Sequence, residues 1–210
     1  MRVPPRIVLL TGVGAVVAGV AAGMLTKVVL ARAGSSTLAL PELHGQATWK
    51  ANERPAPAIA LDDVRGGHVT LDALRGGPVL ITFLDSRCTS LCPLVGRAIA
   101  SAEASLPQAS RATVLVVSVN PAGDTAASVT AATREWGLPA GTRWVSGAPT
   151  ALASVWRAYG IDVRPSPSGI VHGAVVYLLD RRGNERAGYL APVLPSFLAL
   201  DVTRVANDPA

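Results

Sequence analysis

The sequence predicts an α/β domain in which helices cover both faces of a central mixed sheet. Two apolar runs, residues 78–84 and 113–119, have the length and β-branched composition of strands that are buried on both faces. A segment with helical spacing of apolar residues follows each run. Residues 174–179 and 185–190 flank the turn 180–183 and predict a hairpin, which adds an antiparallel edge. Strands that alternate with helices in this way indicate a sheet that is mainly parallel.

The other elements follow from local patterns along the chain. Short strands are predicted at 59–61, 68–70 and 142–145, one helical turn at 71–74, and helices at 93–102, 124–136, 150–159 and 194–205. Asp124 or Thr125 can cap the second of these helices, and Gly137 ends it. Four large aromatic side chains within these elements are expected in the core, namely Trp136, Trp144, Trp156 and Tyr159.

The only two cysteines of the 210 residues, Cys88 and Cys92, lie between the strand 78–84 and the helix that follows it. Pro93 is tolerated at the first position of this helix because its missing N–H would have no partner there. Cys92 is therefore expected at a helix N-terminus, where unpaired N–H groups and the helix dipole stabilise a thiolate. The sequence thus predicts that Cys92 ionises more readily than an ordinary thiol.

The spacing of the two cysteines limits what they can do together. If both were helical, their Cβ atoms would lie about 5–6 Å apart, whereas a relaxed disulfide needs about 3.5–4.5 Å. A bridge therefore requires Cys88 to lie in the loop, and a strained bridge of this kind is easily reduced. A redox-active pair, two ligands of a soft metal and a structural disulfide all remain open from the residues alone.

The first 33 residues predict a membrane anchor or a signal segment. Residues 7–30 carry Lys27 as their only charge, and the uncharged residues 7–26 would span about 30 Å as a helix, enough for a bilayer core. This length favours an uncleaved single-pass anchor. The sequence Ala31-Arg32-Ala33 instead resembles a secretory cleavage site, which would leave a secreted domain.

The rest of the chain divides into a tether and one domain. Residues 34–57 mix Gly, Ser and Pro with scattered polar residues and predict a tether, in which His44 is expected to be solvated. Residues 58–210 are enough for a single domain with a full core. An exported domain with an even number of cysteines suits the oxidising side of a membrane, so we expect the domain on the extracytoplasmic side.

The net charge does not indicate nucleic-acid binding. Residues 1–33 hold four of the nineteen basic residues and none of the fourteen acidic ones, which leaves fifteen basic against fourteen acidic residues in the remainder. The high pI therefore reflects the targeting segment. No basic stripe interleaved with aromatic residues is present, so nucleic-acid partners are excluded.

The order of elements resembles the thioredoxin fold, and one motif is more specific. Cys88-x-x-x-Cys92-Pro93, together with His172 just before the strand 174–179, is similar to the Sco/SenC family. The resemblance covers residues 55–206. Val171 and Gly173 differ from the acidic and hydroxyl residues common beside this histidine, which marks a divergent branch.

The resemblance implies a copper ion bound by Cys88, Cys92 and His172. It implies a metallochaperone rather than an enzyme, which assists assembly of the copper centre of cytochrome c oxidase by copper transfer, thiol reduction or both. The implied partner is a copper-receiving membrane oxidase subunit or another thiol protein. Two thiolates and an imidazole suit Cu(I), and Cu(II) with some help, and zinc is chemically possible as well.

The competing interpretation is a metal-independent thiol–disulfide oxidoreductase of the redoxin type. In that case Cys88 and Cys92 are catalytic and His172 is dispensable. A histidine at the head of a buried strand is by itself more often structural. Asp85, three residues before Cys88, could tune thiol protonation, but an aspartate in a turn more commonly accepts turn hydrogen bonds.

Overall fold

The computed structural model describes residues 43–167 and 169–208. The predicted anchor, residues 1–33, and the first part of the predicted tether lie outside the described residues. Within the described ranges, no helix is long and apolar enough to cross a membrane. The described residues belong to one compact domain, which begins at Leu43.

The domain contains ten strands and four α-helices among the described residues. The strands are β1 (Ala47–Thr48), β2 (Ala60–Asp63), β3 (His68–Thr70), β4 (Val79–Leu84), β5 (Thr113–Ser118), β6 (Arg143–Ser146), β7 (Val163–Ser166), β8 (Gly169–His172), β9 (Val175–Leu179) and β10 (Glu185–Leu190). The helices are α1 (Leu91–Ala104), α2 (Ala126–Trp136), α3 (Pro149–Ala158) and α4 (Pro195–Ala206), with 3₁₀ turns at Asp72–Leu74 and Gln108–Ser110.

Eight strands form one mixed sheet in the order β1-β10-β9-β4-β5-β6-β2-β3. Only the pairs β4–β5 and β5–β6 are parallel, and the other five pairs are antiparallel. The predicted mixed sheet is confirmed, whereas the expectation of a mainly parallel sheet is wrong. The difference arises because both sides of the parallel centre are extended by hairpins.

The two faces of the sheet carry separate apolar layers. Helices α1, α2 and α4 cover one face, where Ile99, Trp136 and Val202 belong to a single buried cluster. Helix α3 covers the other face, where Leu152 and Tyr159 pack against β4 and β5. Every residue of β4 is buried, as a continuous apolar run predicts for a central strand.

Helix α2 has the ends that its sequence predicts. The Thr125 side chain accepts a hydrogen bond from the backbone N–H of Ser128. The Ser128 hydroxyl in turn accepts from the backbone N–H of Thr125, which completes a capping box. At the other end Gly137 has φ of 72°, the left-handed conformation that favours glycine. Thr125, rather than Asp124, is therefore the cap.

Residues 43–57, assigned above to the tether, are part of the domain. Strand β1 pairs with β10, with Ala47 opposite Gly188, and Leu43 is 1% exposed in the core. The boundary predicted at residue 57 is therefore too late. The sequence gives little warning because β1 is only two residues long and both are exposed, so no alternation of apolar residues marks it.

A hairpin that the sequence did not predict connects α3 to β9. Strands β7 and β8 pair with each other, with Val163 opposite His172, and form a separate two-stranded sheet. Proline and serine within residues 163–168 are typical of loops, which hides these strands from pattern analysis. The hairpin matters for function because His172 is its last residue.

Candidate metal centre

The sheet topology brings both cysteines and His172 to one edge of the sheet, the one at which β4 ends. The loop that holds Cys88 follows β4 at its C-terminal end. Strand β9 runs antiparallel to β4, with Thr82 opposite Val176, so β9 begins where β4 ends. The segment that carries His172 therefore arrives at the edge from which the cysteine loop leaves.

Asp85 shapes the turn that leads to Cys88. Its Oδ1 atom accepts hydrogen bonds from the backbone N–H of Arg87 at 2.8 Å and from the Asn120 side chain at 3.2 Å. Its backbone carbonyl accepts from the N–H of Cys88 at 3.1 Å. The expectation that Asp85 accepts turn hydrogen bonds is confirmed.

A second carboxylate, Asp124, holds the same loop from a different segment of the chain, the loop after β5. One oxygen accepts a hydrogen bond from the N–H of Ser86 at 2.8 Å, and the other accepts from the Trp144 indole at 3.0 Å. Asp124 is only 5% exposed, so both bonds are shielded from water. From its sequence position, Asp124 is predicted only as a possible helix cap. The available sequence signal for its contact with the cysteine loop is its position in the loop after β5, because the loops that follow two adjacent parallel strands leave the sheet at the same end.

Helix α1 begins at Leu91, two residues earlier than predicted. Cys92 therefore lies in the first turn, and Pro93 occupies the third position, where its N–H would also lack an intrahelical partner. Cys88 lies in the loop, as a bridge between the two would require. Both thiols are free.

The two thiols differ in burial and in acidity. Burial raises the pKa of Cys92, which is 1% exposed, well above its usual range, and the adjacent Cys88 sulfur adds to this rise. Partial burial also opposes ionisation of Cys88. Hydrogen bonds from the Cys92 and Ser90 side chains and backbone N–H groups outweigh that effect and lower the pKa of Cys88. The prediction that Cys92 ionises more readily is wrong because burial of its sulfur outweighs the helix terminus.

His172 faces the buried thiol. Its Nε2 atom lies 3.5 Å from Cys92 Sγ, and its Nδ1 atom lies 3.0 Å from the backbone carbonyl of Gly173. A carbonyl oxygen only accepts, so Nδ1 carries a proton, and in the neutral ring Nε2 then presents a lone pair to the sulfur. This partner of the ring is a backbone atom, which no residue type in the sequence marks.

The distance between Cys92 and His172 fits a shared metal ion. Metal–thiolate bonds of about 2.3 Å and metal–imidazole bonds of about 2.0–2.1 Å at a tetrahedral angle separate sulfur and nitrogen by about 3.5 Å. The Cys88 sulfur lies 3.5 Å from the backbone nitrogen of Cys92 and from Ser90 Oγ. Across the described ranges, no three His, Cys, Asp or Glu side chains are yet close enough to hold an ion. Two of the three predicted ligands are thus assembled.

The other two histidines lie away from this group. His44 Nδ1 lies 2.6 Å from Asp201 Oδ1, and the ring stacks on Phe197 with centroids 4.5 Å apart. The expectation of a solvated tether histidine is therefore wrong. His68 is exposed on β3 and lies 2.8 Å from Asp62. A groove of about 710 Å³ between α1 and α4 includes none of the three site residues.

Several solved structures share this architecture. ScoI of Bradyrhizobium japonicum with copper bound is 24% identical, with a TM-score of 0.60 and coverage of 72% of this chain and 99% of that one. Yeast Sco1 with copper bound is 16% identical, with a TM-score of 0.64 and coverage of 75% and 91%. BsSco, described as having a disulfide switch and as a member of the Sco family of cytochrome c oxidase assembly proteins, is 16% identical, with a TM-score of 0.64 and coverage of 78% and 99%. These likenesses confirm the predicted thioredoxin-like fold.

The sequence itself carries the family relationship. A comparison with curated proteins gives no match. The profile of the SCO1/SenC family, however, matches residues 50–206, which is most of the chain and includes both cysteines and His172. The chain therefore belongs to the SCO1/SenC family.

Proposed function

We propose that this chain is a membrane-tethered copper carrier that assists assembly of the copper centre of cytochrome c oxidase. Copper is its cargo, and Cys88, Cys92 and His172 are the ligands. The observation that carries the proposal is the 3.5 Å approach of Cys92 Sγ to an imidazole nitrogen whose lone pair faces it. The copper-bound ScoI and Sco1 structures of the same family support the choice of metal.

The ligand chemistry favours Cu(I). Thiolates are soft ligands that select this ion, and imidazole is compatible with it. Copper binding would release the proton of the Cys92 thiol, so the ion takes the place of the proton between sulfur and nitrogen. Cys88 is half-exposed on the loop, and rotation of its side chain toward His172 would complete a three-ligand group.

The proposal places the domain outside the cytoplasm. Residues 7–30 would form a single-pass anchor in the cell membrane, and the domain would meet a copper-receiving oxidase subunit or another thiol protein there. The apolar sequence and the cysteine pair support this location. Protease treatment of intact spheroplasts tests it, since an extracytoplasmic domain would be digested without lysis.

A copper titration tests the site. The full chain, purified in detergent with reduced thiols, is titrated with Cu(I) against a chromogenic chelator. We expect one copper per chain. Cys88→Ser, Cys92→Ser and His172→Ala should each weaken binding by at least about tenfold, because even outer partners of a metal ligand contribute that much. His68→Ala is the matched control, since His68 is exposed and pairs with Asp62. Unchanged affinity in His172→Ala would refute the site.

A second candidate function is thiol–disulfide exchange. It is favoured by the arrangement of a half-exposed Cys88 in front of a buried Cys92, with both thiols free. Cys88 thiolate would attack a partner disulfide and release one partner thiol. Cys92 thiolate would then attack Cys88 Sγ, which forms the Cys88–Cys92 bridge and releases the second partner thiol. Two electrons pass from the cysteine pair to the partner, and an external thiol must reduce the pair again.

Reductase activity distinguishes the two functions. In the exchange reaction the two cysteines suffice, so His172→Ala should retain full reduction of a mixed-disulfide substrate while it loses copper. If wild type binds copper but reduces no disulfide, the second function is excluded.

A further inference from the structure

An exposed apolar patch lies beside the point where the chain enters the domain. The patch consists of Leu190, Leu194, Phe197 and Leu200, which are 41–58% exposed. His44 connects the patch to the incoming chain: its ring stacks on Phe197, and both residues line a cavity of about 120 Å³ with Leu190 and Leu194. Leu190, Leu194 and Phe197 therefore form one continuous surface that reaches the first described residues, and Leu200 follows Phe197 by three positions in α4.

The patch is at the same edge of the sheet as the candidate metal centre. Leu190 is opposite Val175, and the N–H of Ala191 donates to the carbonyl of Ala174 at 3.0 Å, two residues after His172. The other exposed large apolar residues in the part of the chain that the structure describes flank the site itself, namely Leu91, Leu94 and Val171.

The patch contains no charge that a nonpolar partner would have to desolvate. Residues 187–200 include no Asp, Glu, Lys, Arg or His. The next residue, Asp201, is 1% exposed, and its carboxylate accepts hydrogen bonds from His44 and from the Tyr189 hydroxyl. Burial of an unpaired charge, the main cost of inserting a surface into an apolar medium, is therefore avoided.

The length of the preceding chain limits how far this edge can lie from a bilayer. If residues 7–30 span the membrane, residues 31–42 connect the span to Leu43, and twelve residues reach at most about 40 Å. The chain arrives at the patch, since His44 contacts Phe197. The patch therefore adjoins the point at which the proposed tether would join the domain.

We propose that the apolar patch docks on the bilayer interface, with Phe197 and the three leucines among the acyl-chain ends. This docking rests on the proposed membrane tether. It would hold Cys88, Cys92 and His172 near the membrane surface, within reach of the copper-receiving membrane protein proposed above. Phe and Leu side chains exposed together on one face are typical of protein surfaces that lie in this interface.

Quenching by brominated lipid tests the docking in the full chain. Phe197→Trp and, as a matched control, Glu135→Trp are reconstituted in phosphatidylcholine vesicles with or without brominated acyl chains. Glu135 is exposed in the last turn of α2, a helix that contributes no residue to the patch. We expect brominated lipid to reduce the emission added by Phe197→Trp at least twofold and to leave that of Glu135→Trp unchanged.

The outcomes separate docking from tethering. If the chain sediments with vesicles but neither added tryptophan is quenched, docking is refuted and the tether stands. If the Phe197→Trp emission is unquenched and the chain cross-links to a second copy through this patch, the surface is a protein interface instead. If the chain does not sediment with vesicles, tether and docking both fail.

Discussion

Cys92 Sγ lies 3.5 Å from His172 Nε2, although the two residues are 80 positions apart in the chain. The contact joins the first turn of α1 to the end of the β7–β8 hairpin. It depends on the antiparallel pairing of β4 with β9, which places both segments at one edge. The thiol is buried and the imidazole is oriented by the Gly173 carbonyl, so the pair is prepared for a soft cation.

Alkylation should distinguish the two thiols. Cys88 is half-exposed with a lowered pKa, whereas Cys92 is buried with a raised pKa. Because the thiolate is the reactive form, we expect iodoacetamide to modify Cys88 at least about tenfold faster at neutral pH. Peptide mass spectrometry over time measures both rates. Faster modification of Cys92 would contradict the assignment, and the two rates should converge in denaturant.

Asp124→Asn should loosen the cysteine loop. An amide keeps one acceptor but turns an NH₂ toward either the Ser86 N–H or the Trp144 indole, so one buried donor loses its partner. We expect a loss of about 1–3 kcal/mol in unfolding free energy. Because Asp124 positions the loop before Cys88, Cu(I) affinity of the folded variant should also fall roughly tenfold.

The control for Asp124→Asn is Asp62→Asn, which makes the same change at an exposed aspartate on β2. It should change neither stability nor copper affinity. A stability loss in Asp124→Asn with unchanged copper affinity would show that Asp124 supports the fold but not the site.

Gly96→Ala should displace helix α1. A Cβ at Gly96 would lie 2.8 Å from Cε3 of Trp136, a buried side chain of α2 that cannot move freely. Overpacking of this kind costs about 1–3 kcal/mol. Urea denaturation measures the loss, and Gly141→Ala, where an added Cβ has no neighbour within 4 Å, is the matched control. Equal stability of the two variants would contradict the close helix contact.

Glu103 predicts a pH-dependent stability. Burial raises its pKa to about 7, although the Ala112 N–H and Arg111 partly oppose the shift. The folded state therefore binds more protons than the unfolded state between the ordinary pKa and about 7. The stability from protonated Glu103 is complete below the ordinary pKa and is lost as the pH rises through about 7.

Glu103→Gln removes this dependence. At pH 8.5 we expect the variant to be about 1–3 kcal/mol more stable than wild type, with little difference at pH 4.5. Urea denaturation at the two values tests this, with exposed Glu135→Gln as control. A Glu103→Gln variant that is less stable than wild type at pH 8.5 would contradict the expectation that ionised Glu103 destabilises the folded state.

The sequence pattern predicted the central elements because their signals are strong. Residues 79–84 are apolar except for Thr82, and Thr125 and Gly137 mark both ends of α2. The pattern missed β1 and the β7–β8 hairpin, since these strands are short, exposed or interrupted by proline. Partners in the sheet, rather than local propensity, determine such strands.

The candidate site was predictable in its residues but not in its electrostatics. The cysteine spacing and His172 were recognised through a family resemblance, since nothing local links positions 80 residues apart. The acidity of the thiols was assigned to the wrong cysteine because a helix terminus is visible in sequence, whereas burial of Cys92 depends on the packing of distant elements. The support from Asp124 was missed for the same reason.

X-ray absorption at the copper edge identifies the atoms that bind the ion. The full chain is loaded with one equivalent of Cu(I), and the scatterers around copper are counted in wild type and in His172→Ala. If Cys88, Cys92 and His172 bind the ion, we expect two sulfur atoms and one imidazole nitrogen in wild type. The imidazole signal should be lost in the variant. A wild-type spectrum with sulfur scatterers alone, or an imidazole signal that survives in His172→Ala, would contradict it.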